Sequence, residues 1–166
     1  GAVLFLGLKE EDNSLSVSKS HFQGNVAVDG AAIRATGTGI DIRGCLFSEN
    51  FATSDWAIII RPAEEVTIAD CQFMFHKMSD VRVEDSVAVT ITNSSMSRLE
   101  VVNTVVLVID TCRFSNNGGL SDSSALYLQD SYVVKVDSCF FSNNTALTPG
   151  SALHMIDCYS ASIKPF

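Results

Sequence analysis

The stretch Leu107-Val-Ile-Asp-Thr-Cys-Arg-Phe-Ser-Asn-Asn117 returns 27 residues later as Val134-Lys-Val-Asp-Ser-Cys-Phe-Phe-Ser-Asn-Asn144. Both copies contain two aliphatic residues at alternate positions, then Cys-x-Phe, then an asparagine three residues after the phenylalanine. The Cys-x-Phe phrase recurs elsewhere, with serine and methionine as substitutes. Its occurrences begin at Ser20, Cys45, Cys71, Ser94, Cys112 and Cys139. A phrase that returns with this regularity indicates a repeat architecture.

Two pairs of aliphatic residues precede the Cys-x-Phe phrases. Within a pair the residues are two apart, which is the alternation of a β-strand with one buried face. The pair nearer the phrase is Leu15/Val17, Ile40/Ile42, Val66/Ile68, Val89/Ile91, Leu107/Ile109 and Val134/Val136. The earlier pair is Val3/Phe5, Ile33/Ala35, Ile58/Ile60, Val81/Val83, Leu99/Val101, Leu126/Leu128 and Leu153/Met155. Successive earlier pairs are 18 to 30 residues apart, which suits one turn of a solenoid with a loop of variable length.

These columns predict an all-β fold, a right-handed parallel β-helix of about seven coils that is open at both ends. Each coil supplies short strands whose alternate side chains point inward, while backbone amides pair with the coils above and below at ~4.8 Å. An antiparallel barrel also has alternating strands, but its hairpins have no reason to repeat the same residue types at one offset. The stacked core is predicted to contain Cys45, Cys71, Cys112, Cys139, Phe22, Phe47, Phe73, Phe114 and Phe141.

Asparagine follows the phenylalanine three residues later in four coils. Asparagine tolerates left-handed backbone and hydrogen-bonds neighbouring amides, so a stack of asparagines suits a coil corner. We therefore expect a structural turn ladder, with ligand contact as the alternative. Its members are Asn25, Asn50, Asn117 and Asn144.

The phrase Phe141-Ser-Asn-Asn144 is followed by Gly150-Ser-Ala-Leu153. This pairing of F-x-x-N with a G-G-A-[ILV]-like phrase resembles the repeats of the chlamydial polymorphic outer membrane proteins. Such repeats also occur in other large surface proteins with pectin-lyase-like folds. The resemblance covers nearly the whole chain, and it departs from the pattern where Gly-Gly is replaced and in the shortened coils around residues 76 to 101. It implies a secreted or surface-displayed β-helix with adhesive roles.

The chain has 166 residues and a formal net charge of −8, with no block of like charge. Such a chain is not attracted to a nucleic-acid backbone, and no stretch is long and apolar enough to span a membrane, so we expect neither partner. We read residues 1–166 as a single β-helix segment, a fragment of a longer solenoid. The expected partners are further coils of the same chain or other copies stacked end to end, and also glycans or surface proteins. The expected location is extracellular or at the cell surface.

Cysteines and glycosylation sequons add further expectations. Stacked buried thiols are favoured over disulfides, because neighbouring side chains in register run parallel and disfavour the disulfide torsion. No C-x-x-C spacing or Cys/His cluster is present, so we expect no metal site and no cofactor. The stacked pairs would be Cys45 over Cys71 and Cys112 over Cys139. The candidate glycosylation sites are Asn93 and Asn143.

The aspartates do not form a recognisable catalytic cluster. Parallel β-helix lyases and hydrolases use carboxylates that lie close together, with a base or Ca²⁺. Here the aspartates occur singly along the coils, as turn residues do. We therefore expect no enzyme, and interpret the chain as a structural or adhesive segment that presents loops to a partner or glycan. The alternatives are a subunit of an extracellular fibre and a fragment of a polysaccharide lyase or hydrolase.

One irregularity in loop length indicates a binding place. From the aromatic residue of the Cys-x-Phe phrase to the first aliphatic residue of the next coil, the chain advances by about 11 or 12 positions in most coils, but by 8 after Phe73 and by 3 after Met96. The loop face is therefore expected to be notched in the middle of the solenoid, and the notch to bind a glycan or a partner protein. The notch residues are His76, Lys77, Arg82, Arg98 and Glu100.

Overall fold

A computed structural model describes residues 3–6, 13–53, 56–74, 79–118, 124–146 and 150–164 of the chain. In these ranges the backbone forms strands joined by turns, and each pairing between named strands is parallel. Each strand pairs with the equivalent strand of the next coil. This is the parallel β-solenoid that the repeat predicts, and the prediction is confirmed.

The strands fall into three sheets. The largest holds both aliphatic columns and contains β1 (Val3–Leu6), β2 (Ser14–Ser18), β5 (Ile33–Arg43), β8 (Trp56–Ala69), β10 (Ser79–Thr92), β12 (Leu99–Asp110), β14 (Leu126–Gln129), β15 (Val133–Asp137), β17 (Leu153–Ile156) and β18 (Ser160–Lys164). The second holds the Cys-x-Phe phrases and contains β3 (His21–Gln23), β6 (Leu46–Ser48), β9 (Gln72–Met74), β11 (Ser95–Met96), β13 (Arg113–Ser115) and β16 (Phe140–Ser142). The third pairs β4 (Val26–Ala27) with β7 (Phe51–Ala52).

The register agrees with the predicted columns residue by residue. Successive partners in the first column are Val3, Ile33, Ile58, Val81, Leu99, Leu126 and Leu153. The described strands make about five full turns, slightly fewer than the seven coils counted from the sequence.

In the central coils the two aliphatic pairs lie on one continuous strand. β5, β8, β10 and β12 each carry both pairs, whereas the outer coils divide them between two strands. The chain bends between the pairs at left-handed residues such as Asp85 and Asn103, whose φ angles are 52° and 54°. Asn103 donates its side-chain amide to the Asp85 carboxylate of the previous coil at 2.7 Å. The bend is therefore tied from coil to coil while the strand continues through it.

Stacked phenylalanine rings fill the interior beside the Cys-x-Phe sheet. Phe47 is fully buried, and its ring lies 5.0 Å from that of Phe22 and 4.7 Å from that of Phe73, with interplanar angles of 8° and 10°. Burial of such a ring contributes on the order of 1.5–3 kcal/mol. A second stack joins Phe114 to Phe141 at 5.0 Å, and Met96 occupies the same column between the two stacks.

The asparagine ladder is a set of buried hydrogen bonds between coils. Asn50 is 2% exposed, and its side-chain amide donates to the Phe22 carbonyl at 2.9 Å. Its Oδ1 accepts from the backbone N–H and the side-chain amide of Asn25, at 3.1 and 2.8 Å. Asn144 repeats the pattern, donating to the Phe114 carbonyl and accepting from the Asn117 backbone N–H, each at 3.1 Å.

From the sequence, the ladder asparagine itself is expected to be the left-handed residue of this corner. In the structure, the left-handed residue is the one before it. These residues are Gly24, Glu49, Asn116 and Asn143, with φ between 53° and 63°. The sharp turn at that position directs the following side chain into the interior. The asparagine is therefore selected for its inward hydrogen bonds and not for its backbone conformation.

The cysteine and serine of the repeated phrase have one shared role. Each follows a left-handed residue and donates its S–H or O–H to the carbonyl two residues earlier. Cys71 donates to Ala69 at 3.2 Å and Ser94 donates to Thr92 at 2.8 Å. The two residue types exchange in this column because both are small and both donate. The other members are Ser20, Cys45, Cys112 and Cys139.

Replacing Asn50 with alanine is expected to lower the free energy of unfolding by about 3 kcal/mol, because it leaves buried groups of Asn25 and Phe22 without partners. Urea denaturation measures the change. Gln23→Ala is the control, since Gln23 is exposed and bonds Glu49 only at 3.4 Å. We expect the control to change stability by less than about 0.5 kcal/mol. Equal losses in the two variants would contradict a structural role for the ladder.

Candidate functional site

Arg82, Arg98 and Glu100, which the loop lengths place in a notch, lie together on the outer face of the first aliphatic column. Arg82 and Arg98 bond the two carboxylate oxygens of Glu100 at 3.3 and 3.0 Å. Both guanidinium groups lie over the Trp56 ring, at 5.7 and 4.9 Å from its centroid. Trp56 is 4% exposed, so the arginines cover it. Cation–π attraction and ion pairing thus hold the three charged groups on one aromatic ring.

The charged row continues along the solenoid axis through Glu84. Its carboxylate is bonded by Arg82 of the same strand and by Arg61 of the previous coil, the latter at 3.1 Å. Arg61 also approaches Asp29 at 3.9 Å. We call the set Arg61, Arg82, Arg98, Glu84, Glu100 and Trp56 the arginine strip. Along the strip, basic and acidic groups alternate in the order Arg61, Glu84, Arg82, Glu100 and Arg98, and each carboxylate contacts two guanidinium groups.

The short connection between β11 and β12 is stabilised by a buried carboxylate. Asp80 is 1% exposed, and its Oδ2 accepts from the Ser97 hydroxyl at 2.8 Å and from the Arg98 backbone N–H at 3.2 Å. The asparagine ladder is interrupted in this coil, because the position three residues after Met96 is the core residue Leu99. Asp80 thus bonds turn N–H groups where no ladder asparagine is present. This role of Asp80 carries no signal in the sequence, since an isolated aspartate resembles an ordinary turn residue.

Of the five residues predicted to form the notch, Arg82, Arg98 and Glu100 lie in the described part of the chain, and His76 and Lys77 lie outside it. The binding of a partner by this notch stays a prediction. Within the described residues, Trp56 and Glu84 belong to the same surface, although neither is predicted there from the loop lengths. The signal that could have found them is the register, which aligns Glu84 with Val102 and places Trp56 opposite Ser79.

Tyr127 and His154 extend the outer face beyond the arginine strip. They pair in register, and their rings meet edge to face with centroids 5.5 Å apart. The Tyr127 hydroxyl donates to Gln129 at 2.8 Å. Partial burial, and then the negative charge of Glu100, raise the pKa of Tyr127 above its usual value. The tyrosine therefore stays protonated at neutral pH and offers an aromatic edge and a hydroxyl.

The two sequon asparagines occupy left-handed corner positions. Asn93 and Asn143 have φ angles of 45° and 53°, and both are exposed. The Asn93 side chain donates to the Asp70 carboxylate at 2.6 Å. A glycan on either asparagine would project from a corner of the solenoid, where nothing in the core needs to move.

The five cysteines are free thiols. Burial raises the pKa of the Cys71 thiol from its usual value near 9.0 to about 11. Cys112 and Cys139 are stacked neighbours, and the interaction between their thiols, together with burial, raises the pKa of Cys112, while the same interaction lowers the pKa of Cys139. The cysteines thus behave as stacked thiols, the arrangement favoured by their parallel register.

Raising the pH from 9 towards 11 is expected to destabilise the fold through Cys71, whose pKa burial raises to about 11. Below the usual pKa the thiol is protonated in both the folded and the unfolded chain, so its full contribution to the stability of the fold is present. Between that value and the raised one, only the unfolded chain ionises, and stability is lost. Urea denaturation across this range should show a steeper loss for the native chain than for Cys71→Ser, which does not ionise. Parallel loss in both chains would contradict the assignment.

Among the described residues, no group of three or more His, Cys, Asp or Glu side chains is arranged to hold a metal ion. None of the described residues forms a helix that is long and apolar enough to cross a membrane.

Comparison with known proteins bears on the fold. A family model described as "Right handed beta helix region" matches residues 7–164. Comparison with curated proteins and with solved structures finds no significant match. The family match spans nearly the whole chain and agrees with the parallel stacking of its coils. The chain therefore belongs to the right-handed β-helix family.

Proposed function

We propose that this chain is a structural and adhesive segment of a secreted or cell-surface protein, and that the arginine strip is the surface it offers to a partner protein or glycan. The observation that carries the proposal is the set of guanidinium groups held over Trp56 by two carboxylates. Arginine, tryptophan and tyrosine are enriched among the residues that dominate binding between proteins. Here they form one continuous face.

Rigidity of this face supports the same function. The outer side chains stand on a parallel sheet, and ion pairs between coils fix their positions. A surface that is already ordered loses less conformational entropy on binding than a flexible loop does. The F-x-x-N and G-G-A-[ILV]-like phrases, which resemble those of the chlamydial polymorphic outer membrane proteins, also favour display at a surface and adhesion.

Adhesion is tested by coating fluorescent microspheres with the chain and counting those retained on cultured epithelial cells. Arg82→Gln is expected to reduce retention about tenfold, because it removes the cation that bridges Glu84, Glu100 and Trp56. The variant should fold, since Glu84 keeps Arg61 and Glu100 keeps Arg98 as partners.

The matched control is Lys135→Gln. Lys135 is also an outward strand residue with a carboxylate partner, Asp137 at 3.6 Å, but it belongs to the second aliphatic column. Its replacement should leave retention unchanged, and thermal melting verifies that both variants are folded. The proposal fails if spheres coated with the native chain are retained no better than albumin-coated spheres, or if both variants lose retention equally.

We also propose that this segment is not an enzyme. Glu84 and Glu100 lie on the outer face of neighbouring coils, and arginines already bind both carboxylates. Incubation with polygalacturonate and with alginate, in the presence of Ca²⁺, is expected to release neither unsaturated products nor new reducing ends. Product above the buffer blank would favour the alternative, a fragment of a polysaccharide lyase or hydrolase.

A further inference from the structure

The outer face of the Cys-x-Phe sheet bears a row of side chains at the x position of the phrase. Gln72, Ser95, Arg113 and Phe140 pair in register on successive coils. Neighbouring coils are separated by ~4.8 Å, so the short side chain of Ser95 lies between the long side chains of Gln72 and Arg113. The row therefore has a gap at Ser95, which we call the serine gap.

A second row of polar residues runs beside the gap. Asp70, Asn93 and Thr111 each lie two positions before a residue of the first row, and all three are exposed and left-handed, with φ between 45° and 55°. Asn93 donates to Asp70 at 2.6 Å, which fixes the orientation of both side chains. The corner row is thus a fixed rim of carboxylate, carboxamide and hydroxyl groups.

The two rows enclose a groove of about 290 Å³, to which Cys71 and Ser94 also contribute. Small-molecule sites have volumes of about 300–1,000 Å³. The volume of this groove lies at the lower end of that range, so it suits a very small ligand. Gln72 and Arg113 border the serine gap along the solenoid axis. A groove bordered in this way suits one terminal ring better than the interior of a long polymer.

Arg113 differs from the other described arginines. Arg34, Arg43, Arg61, Arg82 and Arg98 each contact a carboxylate. Arg113 has no carboxylate partner in the part of the chain that the structure describes, and its guanidinium carbon lies 5.0 Å from the centroid of the Phe140 ring. Stacking holds the guanidinium plane in place while its N–H groups remain available. The side chains of Gln72 and Ser95 likewise make no hydrogen bond within the described residues.

We propose that the serine gap binds a terminal sugar that carries a carboxylate. A guanidinium group recognises a carboxylate through two parallel hydrogen bonds, which Arg113 is positioned to donate. Carboxamides and hydroxyls both donate and accept, as sugar hydroxyls do, and Gln72, Ser95 and Asn93 supply them. Asp70 accepts from a sugar hydroxyl and disfavours ligands with several negative charges. The site is separate from the arginine strip, so it goes beyond the adhesive surface proposed above.

The test is a titration of the unglycosylated chain, because a glycan on Asn93 would lie over the groove. The probes are sialyllactose, methyl glucuronide and, as the neutral sugar, lactose, and binding is followed by calorimetry and by NMR shifts. At least one acidic probe is expected to bind with a dissociation constant on the order of 1 mM, and lactose at least about tenfold more weakly. Which acidic probe binds identifies the source of the carboxylate.

Two variants locate the binding. Arg113→Gln removes the carboxylate contact and is expected to weaken the acidic probe at least about tenfold. Ser95→Leu fills the gap, and Ser115→Leu is its matched control, since Ser115 is not among the groove residues. Only the first of the two serine variants should lose binding, and melting curves establish that each is folded. If Ser95→Leu fails to fold, the binding measured for Arg113→Gln still tests the proposal, because Arg113 is exposed.

The proposal is overturned if no acidic probe binds, if lactose binds as tightly, or if Arg113→Gln binds like the native chain. These results leave the adhesion assay on the arginine strip unaffected, and a failure of that adhesion assay leaves the binding test of the serine gap unaffected. The two proposals can therefore fail separately.

Discussion

Backbone hydrogen bonding between coils is the interaction on which the rest of the molecule depends. Through the Cys-x-Phe column, each amide donates to the coil before it: Gln72 to Cys45 at 3.0 Å, Ser95 to Cys71 at 2.9 Å and Phe140 to Cys112 at 2.8 Å. Because every coil must keep this register, equivalent side chains are stacked above one another. A polar side chain can then be buried only when its neighbour in the stack completes its hydrogen bonds, as Asn50 does for Asn25.

The short central coil shows how the stack accommodates a change of loop length. Two residues, Ser97 and Arg98, connect β11 to β12, and the asparagine ladder is interrupted there. The buried carboxylate of Asp80 accepts hydrogen bonds from the backbone N–H groups of Ser97 and Arg98 in its place. Arg98 and Glu100 of the arginine strip follow this short connection, and Ser95 of the serine gap comes directly before it. The two proposed surfaces therefore lie on either side of the shortest connection between the Cys-x-Phe phrase and the next coil.

The sequence predicted the stacked register fully, and the surface only in part. The inward residues repeat in type, so Phe47 and Phe114 could be assigned to the core from their spacing. The outward residues do not repeat, because solvent accepts many side chains in the same position. Arg82, Arg98 and Glu100 were found through an irregular loop length, whereas Trp56, Glu84 and Asp80 carried no signal of their own. Their importance depends on which residue of the next coil lies beside them.

The amino-acid sequence by itself determined the solenoid, its inward columns and the positions of its corners, because burial of alternate side chains imposes a periodicity that survives variation in loop length. The tertiary structure decided how the outward groups combine. Arg82 has two carboxylate partners and Arg113 has none among the described residues, although the sequence presents both simply as single cations. The physical reason is that charge pairing acts between coils that are 18 or more residues apart in the chain but ~4.8 Å apart in space.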